Sequence, residues 1–355
     1  MKKKKILHIL HSEIGGAGEI AFTINDLDNS NFLSEYLLTG PKLFSGFKTK
    51  IKKIKKKLIY YKIEKGNHLL KIFNIFNKIK NINPDIIIIH NYQILPCLLI
   101  KFFHHKKIIY IDHMSFSLKK FKDFFSIFLS FIFFNKIIFI NDENYKKFRF
   151  FKKKTKIIYN SISDIFKSKT KNKSKKTMKI GIAGRINPLK FHDLIVDVLK
   201  NDKILQKKIK IYIAGSGESK KKLMRKVKLF NLNKIIIFSG ELDQENLKKW
   251  FQKINLYLHP SLGEGMSTSI LQAISSSTPV LASNVRGINN FIGKKKYMGL
   301  LFENNVEDLR QKITYFINLS NKDYLMFQKI QKKHFLKYHN LSIFHKKYNK
   351  VINSL

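Results

Sequence analysis

The 355-residue chain contains a single cysteine, Cys97. One thiol excludes an internal disulfide and any cysteine-based metal cluster, and it fits a reducing compartment. Long apolar runs are also missing. The longest, Phe124–Phe134 (FFSIFLSFIFF), falls well short of the roughly 20 residues needed to cross a bilayer. It reads as a buried helix, with a membrane-dipping helix as the alternative. A secretory leader is not expected: after Lys2–Lys5 only Ile6, Leu7, Ile9 and Leu10 follow, split by His8, before polar residues. Acidic residues are few, 24 against 69 lysines and arginines, for a net charge of +45. Arginine is itself scarce, at five residues. Lysine is spread along the whole chain with isoleucine, phenylalanine and asparagine, a pattern that an AT-rich genome produces as readily as a binding site does. A basic surface attracts nucleotide phosphates and acidic lipid headgroups alike. No nucleic-acid-binding motif is visible, so nucleic acid is not an expected partner.

What is present is an alternation of short β-branched runs with helical segments. Strands are expected at Lys5–Leu10, Ser34–Thr39, Ile86–His90, Lys107–Asp112, Lys136–Ile140 and Lys156–Tyr159. Helices are expected at Tyr92–Phe103, Lys119–Phe134 and Glu143–Phe151. Lys167–Thr177 has no apolar residue and reads as a basic linker. The pattern then restarts, with strands at Lys179–Ala183, Ile209–Ala214, Lys234–Phe238, Asn255–His259, Pro279–Ala282 and Leu300–Phe302. This predicts an α/β protein of two doubly wound, Rossmann-like domains, 1–166 and 178–335, with 336–355 as a C-terminal helix packing back on the first. Lys48–Lys65 is the densest basic stretch. Its Ile51, Ile54, Leu58 and Ile59 fall at helical spacing, which fits either a helix on an anionic membrane or a solvated helix over the core.

The candidate polar groups lie where strands end, which is where such sheets bind ligands. Gly15 and Gly16 follow the first strand, although their GGAG spacing is not the dinucleotide fingerprint. Asp112-His113, Gly184-Arg185, Gly215-Ser216-Gly217 and Glu264-Gly265 occupy the same position after later strands. Tyr257–Ala282 is the most informative stretch, because it places a carboxylate and a glycine at a strand-to-helix junction. Free N–H groups and the positive end of a helix dipole favour anions there, and Glu264 can accept from ligand hydroxyls. A cleft between the two halves is expected to gather these groups.

Taken in order, these stretches resemble the retaining nucleotide-sugar glycosyltransferases of family 4, which have the GT-B fold. The similarity runs through Gly15-Gly16, Pro84-Asp85, His113, Tyr159-Asn160-Ser161-Ile162, Ala183-Gly184-Arg185, Pro188-Leu189-Lys190 and Gly215-Ser216-Gly217. It continues through Pro260-Ser261, Glu264-Gly265, Pro279-Val280-Leu281-Ala282 and Gly287-Ile288. The resemblance implies sugar transfer from a nucleotide-sugar donor, with retention, to a polysaccharide, lipopolysaccharide or glycolipid acceptor at the cytoplasmic membrane face. Arg185 and Lys190 would neutralise the departing diphosphate in place of a metal, so no cofactor or metal is expected. Glu264 would bind sugar hydroxyls, and Gly265, Met266 and Ser267 would offer amides to the donor. Gly184 and Gly215 would let backbone approach it, Gly15 and Gly16 would meet phosphate or acceptor, and His113 would lie near the donor sugar. His11 and His90 read as structural. One departure matters: the family's second glutamate is here Gln272, which can hydrogen-bond a ribose but lacks the charge of a carboxylate. A catalytically degenerate relative is therefore one alternative; a basic nucleic-acid-binding protein, motivated by charge alone, is the other. Ser277 replaces a family glycine and Ser161 another, both read as structural variation.

Overall fold

A computed structural model describes residues 3–12, 15–25, 32–41, 43, 57–63, 67–90, 93–172, 177–292 and 299–355. The chain divides into two compact units, Met1–Asn160 with Ser342–Leu355, and Ser161–Leu341.

The first unit is built on β1 (Lys4–His11), β2 (Phe32–Gly40), β3 (Lys57–Lys62), β4 (Ile86–His90), β5 (Lys107–Asp112), β6 (Lys136–Phe139) and β7 (Thr155–Ile157). They form one parallel sheet in the order β3-β2-β1-β4-β5-β6-β7. The unbroken isoleucine run of β4 is buried on both sides, as a strand covered on both faces requires. Helices His68–Ile82, Ile94–His104 and Phe121–Phe133 cover one face, burying Phe76, Leu98 and Phe131 against Ile9, Leu37 and Ile87. Helix Gly16–Asn25 buries Ala21 and Phe22 on the other, against Leu10, Tyr36 and Leu38. Cys97 is buried in the first of these cores, and burial pushes its thiol pKa far up.

Two expectations need correcting. Within Lys48–Lys65, residues 57–62 are not helical but form the edge strand β3, paired in register with β2. Leu58 and Tyr60 join one core while Ile59 and Tyr61 join the other, which is the period of two of a strand. Bulky and aromatic residues in succession suit a pleated surface, and pairing overrode the helical spacing. Residues 48–56, 64 and 65 lie outside the described ones. Nor is the run Phe124–Phe134 buried throughout: Ile127, Phe131 and Phe134 face the core, while Phe125, Phe128 and Ile132 are exposed.

The second unit contains β8 (Met178–Ala183), β9 (Ile209–Ala214), β10 (Ile236–Gly240), β11 (Leu256–His259), β12 (Val280–Ser283) and β13 (Leu300–Phe302). These are also all parallel, in the order β10-β9-β8-β11-β12-β13. Successive strands β8, β9 and β10 add to one side, and β11 then starts the other side of β8. The ends of β8 and β11 therefore flank a topological switch point, the position at which open α/β sheets bind ligands. Helix Asn321–Tyr338 belongs to this unit, its Tyr324 hydroxyl donating to the Asn255 carbonyl at 2.6 Å. Helix Leu341–Asn353 belongs almost wholly to the first unit, where His345 Nε2 lies 2.9 Å from the Thr23 carbonyl oxygen.

The segment read as a linker is anchored to the second unit where it is described. The half-buried ammonium of Lys171 donates to the carbonyls of Phe251 and Gln252, in the last turn of helix Gln244–Lys253, and of its C-cap Ile254. Its backbone N–H donates to Gln328 Oε1 at 3.0 Å, and Gln328 Nε2 returns a bond to the Lys171 carbonyl at 2.8 Å. Lys171→Met keeps the stem and removes the donors. Urea unfolding should lose about 1–3 kcal/mol with an unchanged slope, and an unchanged midpoint would mean that water replaces the ammonium without penalty.

Candidate active site

Three loops meet at the C-terminal ends of β8, β9 and β11. Gly184 N–H donates to the Ala214 carbonyl at 3.0 Å, and Ile186 N–H to the Ser216 carbonyl at 2.9 Å. Leu262 N–H donates to the Leu189 carbonyl at 2.8 Å, and Ser261 Oγ reaches the same oxygen at 3.1 Å. Glycine is required at two points. A Cβ on Gly215 would sit 1.9 Å from the Gly184 carbonyl oxygen, and one on Gly287 would sit 1.8 Å from that of Glu264, where φ is also +87°.

Lys190 and Glu264 are joined by these loops. The Lys190 ammonium is hydrogen-bonded to Glu264 Oε1, and His259 Nε2 lies 2.9 Å from the same oxygen. His259 Nδ1 is 3.0 Å from the Tyr257 hydroxyl, which is also 3.0 Å from the Ala183 carbonyl oxygen. Burial alone would raise the Glu264 carboxyl, but the charge of Lys190 and the contact with His259 outweigh it and hold the pKa at about 2. Glu264 is therefore a carboxylate throughout the neutral range. Burial lowers the pKa of His259, with Glu264 opposing that and Lys190 reinforcing it. Lys190 closes the one-turn helix Pro188–Lys190, which Asn187 caps through its side chain and which ends in Phe191 at φ +40°. A non-glycine residue in this left-handed region is strained.

Arg185 is exposed at the end of β8, five residues before Lys190 on the same loop. Gly265, Met266 and Ser267 are buried at the start of helix Thr268–Ser275. Ser267 Oγ accepts from Ile270 N–H at 3.5 Å and lies 3.0 Å from Ser269 Oγ, so one of the four orphan amides of that terminus has an internal partner. Gln272 is buried further along the helix. The side chains that sequence reasoning missed are Tyr257, His259 and His192. The first two alternate on one face of β11 and end just before the Glu264 loop, a spacing that could have flagged them. His192 is buried with neither ring nitrogen hydrogen-bonded, and burial, reinforced by Lys190 and His259, lowers its pKa to about 3.

In the first unit Gly15 and Gly16 are exposed where helix Gly16–Asn25 begins, and a Cβ on Gly15 would meet nothing within 4 Å. The fold itself does not demand a glycine there. His113 follows β5 and ends a row of three imidazoles. His8 Nδ1 lies 3.2 Å from His90 Nε2, and His90 Nδ1 lies 2.9 Å from His113 Nε2. His8 also stacks on Tyr36, with ring centroids 5.2 Å apart. The buried Nε2 of His8 has no partner. An orphaned lone pair is tolerated better than an orphaned N–H, which places the His8 proton on Nδ1. His8 then donates to His90, His90 to His113, and His113 keeps its own proton on Nδ1. The adjoining turn is pinned by Asp112, whose carboxylate accepts from Lys119 Nζ at 2.6 Å and Asn144 Nδ2 at 2.8 Å. His90 is thus a member of the chain that orients His113. Among the described residues no group of three or more His, Cys, Asp or Glu is placed to hold a metal ion.

Residues 163–334 match the family described as glycosyl transferases group 1. Protein CapJ of Staphylococcus aureus is 33% identical over 120 residues, covering 33% of this chain and 30% of CapJ. The O-antigen biosynthesis glycosyltransferase WclY of Escherichia coli is 29% identical over 212 residues, covering 56% of this chain and 57% of WclY. The matches span about a third of the length of the first curated relatives. The crystal structure of Anabaena Alr3699/HepE in complex with UDP and glucose superposes with a TM-score of 0.83, over 99% of this chain and 100% of that one, at 16% identity.

Three shielded histidines set a pH dependence. His8 and His192, which are buried, and His113, which is half-buried, have pKa values lowered to about 3, with desolvation the first cause in each. In the unfolded chain each takes up its proton near 6.5. Between about 6.5 and 3 the unfolded state therefore binds more protons, and stability falls as pH falls through that window. Urea midpoints should be level above pH 7 and decline below 6.5, less steeply in His8→Phe. A flat profile down to pH 5 would contradict neutral, shielded imidazoles.

Proposed function

We propose that this chain, which carries a glycosyl transferases group 1 domain on the GT-B glycosyltransferase fold, moves a sugar from a nucleotide-sugar donor to a cell-envelope glycan or lipid-linked glycan acceptor, with retention of anomeric configuration. The observation that carries the reading is the charge cluster of Lys190, Glu264 and His259 at the switch point of the second sheet. Cleaving a nucleotide sugar puts negative charge on the departing diphosphate, which a fixed cation can stabilise. Lys190 uses one of its three donors on Glu264 and has two for phosphate oxygens. Arg185 adds a planar fork suited to two oxygens at once. Glu264, its charge secured, accepts from sugar hydroxyls, and the amides of Gly265, Met266 and Ser267 face the donor. Gly184 and Gly215 allow close backbone approach. Gly15, Gly16 and His113 act on phosphate, acceptor or donor sugar. Retention follows if the leaving phosphate takes the acceptor proton on the face it departs from. Arg185 and Lys190 would supply the positive charge that a metal could otherwise provide, so the reaction is expected to be metal-independent, with turnover unaffected by EDTA.

The named relatives support the two halves of this reading separately: WclY is an O-antigen biosynthesis glycosyltransferase, which supports an envelope acceptor, and the Anabaena protein was crystallised with UDP-glucose, which supports a nucleotide-sugar donor. We place the reaction on the cytoplasmic side, in peripheral contact with an anionic membrane. A second reading, a degenerate transferase, rests on Gln272, a buried amide where a second carboxylate would hold the ribose.

Screening a panel of nucleotide sugars by thermal shift identifies the donor, since a ligand that binds the native state raises its stability. With that donor, Arg185→Ala and Glu264→Gln should each lower turnover by about a hundredfold or more while leaving the melting temperature within a few degrees. Wild-type-like turnover in either would remove the assignment. Gln272→Glu should keep or tighten nucleotide affinity, and a large loss would contradict its ribose role. Binding without any turnover in the wild type would favour the degenerate reading.

A further inference from the structure

We propose that the outward face of the helical layer His68–Ile82, Ile94–His104 and Phe121–Phe133 in the first unit is a docking surface for an anionic lipid bilayer. Among the described residues all eight exposed phenylalanines lie between Phe73 and Phe151. The clearest stripe runs along Phe121–Phe133. Phe121, Phe125, Phe128 and Ile132 follow one another at steps of four, three and four and are 86%, 52%, 57% and 49% exposed. Those steps keep all four on one side of a helix whose opposite side, Ile127 and Phe131, is in the core. The stripe continues onto the next helix, because Phe102 packs edge-on against Phe133 with ring centroids 4.9 Å apart. It reaches the third through Phe103, whose ring lies 6.2 Å from that of Phe76. Phe102 and Phe103 are themselves 54% and 68% exposed. An exposed apolar face shared by three adjacent helices exceeds what scattered surface residues give.

Charge selects the occupant. Exposed Lys120 and Lys122 stand at one end of the stripe, and exposed Lys152 and Lys153 adjoin Lys154, whose ammonium is bonded to the carbonyl of the stripe residue Ile132. Lys154 caps the other end of the helix through the carbonyls of Phe131 and Ile132, at 2.7 and 3.0 Å. Between Met114 and Asn141 the single acidic residue is Asp123, whose carboxylate is turned back to accept from Lys120 N–H at 2.8 Å. Aromatic rings flanked by ammonium groups match acyl chains beneath a layer of phosphate headgroups. A thirteen-residue helix rises about 20 Å, too short for the roughly 30 Å of a hydrocarbon core, so it lies along the surface and does not span it.

This names the surface behind the membrane contact in the reading above and depends on that part alone. Vesicle binding needs neither donor nor acceptor, so its failure would leave the transfer reaction untouched. The full chain is centrifuged with phosphatidylcholine vesicles, with and without one third phosphatidylglycerol. The wild type should bind the anionic vesicles, weaken as salt rises and bind the neutral ones poorly. The triple variant Phe121→Ser, Phe125→Ser, Phe128→Ser removes exposed rings only and should keep the wild-type melting temperature. Its affinity should fall by at least about tenfold. The charge variant Lys122→Glu, Lys152→Glu, Lys153→Glu should lose the preference for anionic vesicles. Equal binding by the triple variant and the wild type would overturn the proposal. So would sedimentation velocity showing that the face joins two copies of the chain, with dimers that the triple variant abolishes.

Discussion

The second unit's polar loops depend on one charge, the carboxylate of Glu264. It is held in its ionised state by Lys190 on one side and His259 on the other, against burial that would otherwise raise its pKa. Everything nearby serves that arrangement. The β8 loop delivers Lys190, and β11 delivers His259, braced by Tyr257 against the Ala183 carbonyl. Gly287 leaves room for the Glu264 backbone because any side chain there would collide with it. A carboxylate fixed this way is preorganised: its orientation is settled before any ligand arrives, so a hydroxyl that binds it does not have to reorganise the site.

The first unit also fixes a buried carboxylate with an ammonium, and it adds a row of neutral imidazoles. Its Asp112 is buried and paired with Lys119, which anchors the turn after β5. The imidazole beside it is oriented by two more from neighbouring strands. Parallel register makes this possible, since His8, His90 and His113 come from β1, β4 and the end of β5, which are adjacent in the sheet though far apart in sequence.

The fold was legible because its strands are short β-branched runs separated by helical ones. Ile209–Ala214, Lys107–Asp112 and Leu300–Phe302 fall where their sequences place them. Glu264 and Arg185 were legible as residues after strands, and Lys190 through the family resemblance alone. Their partners were less so, because a histidine inside a strand carries no local sign of what its ring will meet. His259 and His90 acquire their roles only from strand order. Leu58–Tyr61 shows the converse error, an apolar spacing compatible with two periods and decided by the β2 edge beside it. Ser277 is instructive too. It adopts φ +54°, a conformation glycine reaches freely, and its hydroxyl donates to the Ser168 carbonyl at 2.9 Å. Replacing a glycine here substitutes a specific tether for conformational ease.

The solitary thiol has a practical corollary. Cys97 is enclosed in the core and its burial keeps it protonated, so it is unreactive towards alkylating probes in the native state. Any cysteine introduced on the surface would be the only nucleophilic sulfur a maleimide encounters. Pairs of spin labels or fluorophores could then be attached, one in each unit, without a cysteine-free background, and the separation of the units followed in solution as nucleotides are added.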